Sequence, residues 1–398
     1  MAGAQPTTAT PIDFNPYSHE VHDDPFPFYE RLREEAPVYE NHQLGFYALS
    51  RYDDVLAALH DHETFCNRHG ITLEPKSPLP MMLTMDPPEH TAMRRLVSRV
   101  FTPRRVADLE PSIRALSTRY LDPIAGEGHC DLITDYSARL PMDVISTMLG
   151  VPPTDQDLLR GWTDDMIHRE EGQPDVTELG VEAATNLYGY LCEMVTAKRA
   201  RPGDDLTSAL LEASLDGRKL TDRDVVGFLL LLVIAGNETT TKLIGNAVYW
   251  LWRNPDERRK LLDDPSRIPD AVEETLRYEG STQLTARTLT RDLELHGVTM
   301  CEGRKVLLLL GSANRDPRVW DRPDVFDIDR EGLNRHLAFG HGIHVCLGAA
   351  LARLETRIAL EHIHQRLLDY EVDEDGIERV HSGNVRGYAR LPLSFRPA

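Results

Sequence analysis

The sequence predicts a mainly α-helical protein with a few small β-sheets, and three observations carry that expectation. Thr221 reads as the N-cap of a helix whose apolar pattern continues to Trp252 or Arg253, where Asn254-Pro255 stops it. At ~1.5 Å per residue that helix is about 45 Å long, enough to cross a whole domain. Leu347, Leu351, Leu354 and Ile358 fall at helical spacing within a second run, 347–368. Strand signals are confined to Ala286–Met300, Lys305–Leu310 and a hairpin-like tail, Ser382 to Phe395.

In chain order, the first residues, MAGAQPTTATPIDFNPY, have no basic stretch and no apolar core. They read as neither signal nor anchor, and 1–12 as a short flexible tail. His90 to Phe101 (HTAMRRLVSRVF) is amphipathic and predicts a helix. The long helix follows, with Asp222 and Asp224 in its first turn to complement the helix dipole. No repeat and no low-complexity linker divides the chain, so 1–398 reads as a single domain.

Composition narrows the function. The hydrophobic fraction of 41% is enough for a large core. A net charge of −20 repels phosphate backbones and anionic lipid, so neither nucleic acid nor a membrane surface is an expected partner. The apolar stretch Val225–Ala235 is 11 residues, too short to span a bilayer, which predicts a soluble, cytoplasmic protein without a membrane anchor. The five cysteines are odd in number and widely spaced, without a CxxC, as in a reducing cytosol. Cys66, Cys130, Cys192 and Cys301 read as small buried hydrophobes.

Cys346 differs. It sits in FGHGIHVCLG, 339–348, among Gly340, Gly342 and Gly348, one residue ahead of the predicted helix. A helix N-terminus presents unpaired N–H groups and positive potential, which favour thiolate over thiol. A thiolate held this way suits a soft metal, including the fifth ligand of haem iron. Glycines let a backbone approach a flat macrocycle closely. A zinc site at His341, His344 and Cys346 is the alternative, without a fourth ligand at a usual spacing.

Two further patterns stand out. The long helix carries Ala235-Gly236-Asn237-Glu238-Thr239-Thr240 in its apolar interior, where a glycine costs ~1 kcal/mol relative to alanine. Glu274 and Arg277 stand at i, i+3 in EETLRY; an exposed pair of that kind contributes only ~0.3 kcal/mol.

Phe339, Gly342, Cys346 and Gly348 match FxxGxxxCxG, Ala235 to Thr239 match (A/G)Gx(D/E)T, and Glu274 and Arg277 match ExxR. Together they resemble the cytochrome P-450 family of haem-thiolate monooxygenases from about Asp13 to the end. The resemblance implies the cytochrome P-450 fold, with haem b between the long helix and the cysteine loop and helix, and Cys346 as axial iron ligand. Ala235 and Gly236 make room for dioxygen. Thr239 is its hydrogen-bond partner, and Glu238 relays protons from solvent, as cleavage of an O–O bond requires. Glu274, Arg277 and Arg330 form a structural ion network. His90, Arg94, Arg287 and His344 take the propionates; His90 and Arg94, at i, i+4, reach one carboxylate together. Met82, Leu83, Leu231, Ile234, Gln283, Leu284, Asn384 and Val385 line the substrate pocket. Met300 to Gly303 (MCEG), Glu279 to Gln283 and Ala350 depart from the commoner pattern and touch loop shape only.

The implied reaction inserts one oxygen atom of O₂ into a hydrophobic small molecule of lipid, terpenoid, steroid or polyketide type. Electrons come from NAD(P)H through a separate ferredoxin and ferredoxin reductase, since no flavin or iron–sulfur segment is legible in the sequence. Arg95, Arg99, Arg104, Arg105, Arg353 and Arg357 are expected to form a cationic patch for the acidic ferredoxin. A peroxide-driven peroxygenase and a non-catalytic haem sensor or carrier are the alternatives. The first has no use for Glu238 and Thr239, and the second lacks an output module.

Overall fold

The computed structural model describes residues 11–397 apart from 74–80, 174 and 216. Five helices position the site: α1 (Glu89–Val100), α2 (Gln156–Ile167), α3 (Asp222–Arg253), α4 (Ile268–Glu279) and α5 (Ala349–Arg366). α3 starts where expected. Thr221 Oγ1 accepts from the Asp224 backbone N–H at 3.2 Å, and the Asp224 carboxylate accepts from the Thr221 N–H at 3.0 Å. This reciprocal cap satisfies two donors that would otherwise lack partners.

α3 packs against α2, α4 and α5 and is the spine of the largest core cluster, with Val225, Leu229, Val233, Ile244, Ala247 and Val248 fully buried. The expectation that its apolar stretch is too short to span a bilayer is corrected. The whole helix is long and apolar enough by length and composition, and 61% of its apolar window is covered by the fold. Burial inside the protein accounts for that apolarity.

A five-stranded sheet lies to one side. Its strands are β1 (Val38–Asn41), β2 (Phe46–Leu49), β3 (Phe65–Cys66), β4 (Thr285–Leu289) and β5 (Lys305–Leu308), in the order β1-β2-β5-β4-β3. β5 runs parallel to β2, with Lys305 opposite Phe46, and antiparallel to β4, with Val306 opposite Arg287. That register sets Arg287 in the wall of the central cavity.

Several local expectations change. The strand signal at 286–300 resolves into β4 and a short hairpin, Leu293–Leu295 with Val298–Met300. The tail is not a hairpin. Tyr388–Arg390 pairs with Glu378–Arg379, whereas Pro392–Arg396 joins Leu368–Val372 and His129–Asp131 in another sheet. Pro392, which has no N–H for a ladder, stands where the chain changes sheets. Residues 1–10 of the expected tail lie outside the described residues; Ile12 packs on a core cluster, and its carbonyl accepts from Tyr39 Oη at 3.4 Å. Cys66 and Cys130 are buried as expected, Cys192 is half-buried and Cys301 is exposed.

Candidate active site

A cavity of about 520 Å³ lies between α3 on one side and the cysteine loop with the start of α5 on the other. The loop is folded by a hydrogen bond from the Cys346 N–H to the Phe339 carbonyl, 2.9 Å, and by positive φ at Gly340 (+65°) and Gly342 (+68°). Gly342 corrects the expected reason for the glycines. A Cβ there would sit 2.4 Å from the Leu59 carbonyl oxygen, so the close approach it permits is to protein backbone. At Gly348 a Cβ would lie 3.9 Å from Cys346 Sγ, an ordinary contact, so the sulfur does not itself require a glycine there.

α5 begins at Ala349, so Cys346 lies three residues ahead of it. The sulfur lines the cavity, to which the residue is exposed while deep in the protein. Burial pushes its pKa up and is the largest influence; the Gly348 and Ala349 N–H groups and the Arg94 and Arg353 guanidiniums pull it down without winning. The helix start therefore does not by itself give a thiolate. A cation bonded to the sulfur would, because ligation displaces the proton.

His90, Arg94, Arg287 and His344 converge on the same cavity. The rings of His90 and His344 lie 4.1 Å apart, and both nitrogens of His90 and Nε2 of His344 are buried without a partner. Burial lowers all four pKa values, His344 to about 3 and Arg287 to about 10, and the neighbouring positive groups lower both histidines further. Four basic groups crowded around unpartnered nitrogens fit an anion that carries two carboxylates, as haem does. The donor set also suits haem better than zinc: the one cluster of metal-ligating side chains among the described residues is Glu257, Asp327 and Asp329, away from this loop.

On the facing wall, Glu238 and Thr239 both line the cavity, with Ala235 and Gly236. Thr239 Oγ1 donates to the Ala235 carbonyl at 2.9 Å, the usual resting place for a helical hydroxyl. Glu238 is 2% exposed. Its Oε2 lies 3.3 Å from Lys242 Nζ and its Oε1 accepts from Asn237 Nδ2 at 3.4 Å. The Asp164 carboxyl of α2 is near enough to influence its charge. Burial raises its pKa, but the Lys242 ammonium, with Asp164 beside it, outweighs that and leaves it lowered. Asp164 and Lys242 were not foreseen. Lys242 stands at i+4 from Glu238 on the predicted helix, so a pairing signal existed; Asp164 belongs to another helix and had none.

Behind the loop, Arg277 grips Glu274 through two 2.7 Å hydrogen bonds, both side chains being wholly buried. Arg330 Nε reaches Glu274 at 3.4 Å. Arg277 also donates to the Asn314 carbonyl, and Asn314 Oδ1 accepts from the Leu337 N–H at 2.7 Å. The network thus holds the root of the cysteine loop.

Met82, Leu83, Leu231, Ile234, Asn384 and Val385 line the cavity. Gln283 and Leu284 do not; they border a separate cavity of about 30 Å³. Gln283 turns back to donate to the Gly280 carbonyl, and Leu284 packs with Phe14 and Tyr29. Ser281, Thr282 and Thr285 stand in the main wall instead, with Phe101, Met166 and Ile167 added from segments that sequence spacing did not connect. The expected arginine patch is also reduced. Arg353 is paired with Glu273 at 2.5 Å, and Arg357 with Glu110 and Glu361 at 2.9 and 3.0 Å. Arg95, Arg99, Arg104 and Arg105 are exposed.

The chain resembles known proteins over most of its length. Residues 183–384 match the family model described as cytochrome P450. The protein of Mycobacterium tuberculosis designated cytochrome P450 123 is 47% identical over 388 residues, 96% of each chain. The steroid C26-monooxygenase of the same organism is 39% identical over 376 residues, 93% of each chain. The crystal structure of CYP109E1 from Bacillus megaterium in complex with testosterone superposes with a TM-score of 0.84 at 34% identity, covering 94% of this chain and 99% of that one.

Proposed function

The chain belongs to the cytochrome P450 family, has that family's fold and is a monooxygenase; from this premise we propose that Cys346 binds haem b and that the substrate is an apolar small molecule of lipid, terpenoid, steroid or polyketide type. The observation that carries the reading is that Cys346 and the Glu238–Thr239 pair line one cavity from facing elements. When bound, haem supplies the activation of dioxygen, one atom of which enters a C–H or C=C bond while the other leaves as water.

This chain's residues do the rest. His90, Arg94, Arg287 and His344 bind the propionates, and their positive charge becomes favourable once the carboxylates are present. The Gly348 and Ala349 N–H groups stabilise negative charge on the Cys346 sulfur. Thr239 holds a proton at Oγ1 over the cavity and exchanges its bond to the Ala235 carbonyl for one to the reacting oxygen. Glu238 brings protons through the wall to that hydroxyl. Met82, Leu231, Ile234 and Val385 exclude water and orient the apolar substrate. Ferredoxin and its reductase pass electrons from NAD(P)H, and the protein works in the cytoplasm.

The steroid C26-monooxygenase and the testosterone-bound relative make steroids the first compounds to try. The test is a spectral binding screen led by steroids, followed by NADPH-driven turnover. Binding should be matched by an oxygenated product that requires NADPH, which a peroxide-driven enzyme or a haem carrier would not show. Thr239→Ala should release more of the consumed oxygen as hydrogen peroxide, and Glu238→Gln should slow turnover while keeping haem. Unchanged product per NADPH in both variants would overturn the assigned roles.

A further inference from the structure

The N-terminal segment, the turn after α2 and the segment 381–386 meet at a cluster of imidazoles. His19 and His22 stand on the short helix His19–Asp23, and His381 faces both. The ring centroids of His19 and His381 lie 3.7 Å apart, and those of His22 and His381 5.5 Å. Nδ1 of His22 is 3.5 Å from Nδ1 of His381. Glu171, in the turn, pairs with His19 Nδ1 at 2.5 Å and accepts from the His19 backbone N–H at 3.2 Å. Two backbone bonds close the same junction. The Arg169 N–H donates to the His381 carbonyl at 3.2 Å, and the Gly172 N–H to the Tyr17 carbonyl at 2.8 Å. Both flanks of the junction reach the active-site cavity: Met166, Ile167 and Arg169 line it on one side, Ser382, Asn384 and Val385 on the other. On the outer side Glu171 is exposed and His19 half-buried.

We propose that His19, His22 and His381 form a latch over an entrance to the active-site cavity, closed while the imidazoles are neutral and released when they take up protons.

The hydrogen bonding sets the direction. His22 Nε2 lies 2.9 Å from the Pro16 carbonyl, which can only accept, so that nitrogen keeps its hydrogen. In neutral His22 the lone pair is then on Nδ1, facing His381. One proton can be shared between the two Nδ1 atoms; a second sets N–H against N–H and breaks the bond. Asp23 and Glu171 face His381, and so does His168, whose Nε2 is 3.8 Å from Glu170. Arg386 stands behind His22, donating to the His22 and Asp23 carbonyls, and its charge is met by Glu279 at 2.9 Å. Glu171 and Asp23 offset two of the three imidazolium charges, and the third falls on His22, which is buried. Burial first, then the positive groups of His381, His19 and Arg386, lower the His22 pKa to about 4 against the bond to Pro16, and burial also lowers that of His381. The closed latch binds fewer protons than the open one between about pH 4 and 6.5. It is fully stable above that range and weakens as pH falls through it.

The test is amide hydrogen exchange of the holoenzyme, read at Arg169 and Gly172 and corrected for the intrinsic effect of pH. From pH 7.5 to 5 exchange should quicken by roughly thirtyfold in wild type, as a His22 pKa of about 4 in the closed form implies. His22→Gln cannot take up a proton and should stay slow throughout, as should the amides of α3 in every protein. Where His22→Gln fails to fold, His381→Gln decides. Its amide oxygen accepts from a protonated His22, so the response should shrink severalfold. No acceleration in wild type, an undiminished one in the variant, or an equal one in α3 would overturn the proposal. The entrance is read by the binding of cyclohexyl isocyanide, which does not titrate in this range, to the haem iron. Its association rate should rise with exchange in wild type and stay flat in His22→Gln. An association rate indifferent to pH while exchange responds would show that the cluster guards no entrance and would overturn the proposal. This last measurement rests on the reading of Cys346 as the haem ligand; the exchange result stands if that reading fails.

Discussion

Replacing Glu355 with glutamine should make the protein more stable, and more so the higher the pH. Glu355 lies on α5 in the cavity wall, is 2% exposed, and its Oε2 has no hydrogen-bond partner. Burial alone pushes its pKa up to about 8 from the ordinary 4.5. A raised folded-state pKa means that the folded protein binds a proton that the unfolded chain releases, so this stability is fully present below about pH 4.5 and lost as pH rises towards 8. At about 1.36 kcal/mol per pH unit, the whole span corresponds to roughly 5 kcal/mol, and the part between pH 5 and 8 to roughly 4 kcal/mol. Glutamine has nearly the shape of the protonated acid and cannot ionise. Urea unfolding of the two proteins from pH 5 to 8 measures the difference. The variants should be within about 1 kcal/mol at pH 5 and should diverge by roughly 4 kcal/mol in favour of glutamine at pH 8. A pH-independent difference would show that Glu355 is not titrating in a buried site.

Cys346→Ala should lose the absorption that a thiolate ligand gives to the reduced carbon monoxide complex, and Cys346→His should move it to the imidazole-ligated position; a retained thiolate band would remove Cys346 as the ligand. Gly342→Ala forces a Cβ to 2.4 Å from the Leu59 carbonyl at φ +68°. It should cost roughly 3 kcal/mol of stability and lower haem content, measured by unfolding and by haem-to-protein ratio. Reduction by a ferredoxin should slow as salt rises, the Debye length being ~8 Å at 0.15 M. Arg95→Glu and Arg104→Glu should slow it further and leave substrate binding unchanged; a flat salt response identical to wild type would remove the patch. Charge reversal at Arg353 is a poor test, since it would also break the pair with Glu273.

Much of this protein was legible from sequence because its chemistry depends on neighbours along the chain. A thiol before a helix, an acid beside an alcohol inside an apolar helix, and Glu274 with Arg277 at one turn's spacing are all short-range patterns, and helical geometry turns spacing into proximity. The cap at Thr221 and the stop at Asn254 are equally local. Even the Glu238–Lys242 pair was within reach of that logic.

Tertiary structure decided what depends on contacts between distant segments and on burial. Asp164 meets Glu238 only because α2 packs on α3. Gly342 is needed because Leu59 lies against it, and Gln283 and Leu284 leave the cavity because their partners at Gly280, Phe14 and Tyr29 hold them elsewhere. The thiol of Cys346 and the acid of Glu355 have local surroundings that spacing describes well, but their protonation is set by how completely the fold removes water around them. Desolvation is a property of the whole packed surface, and no run of residues encodes it by itself.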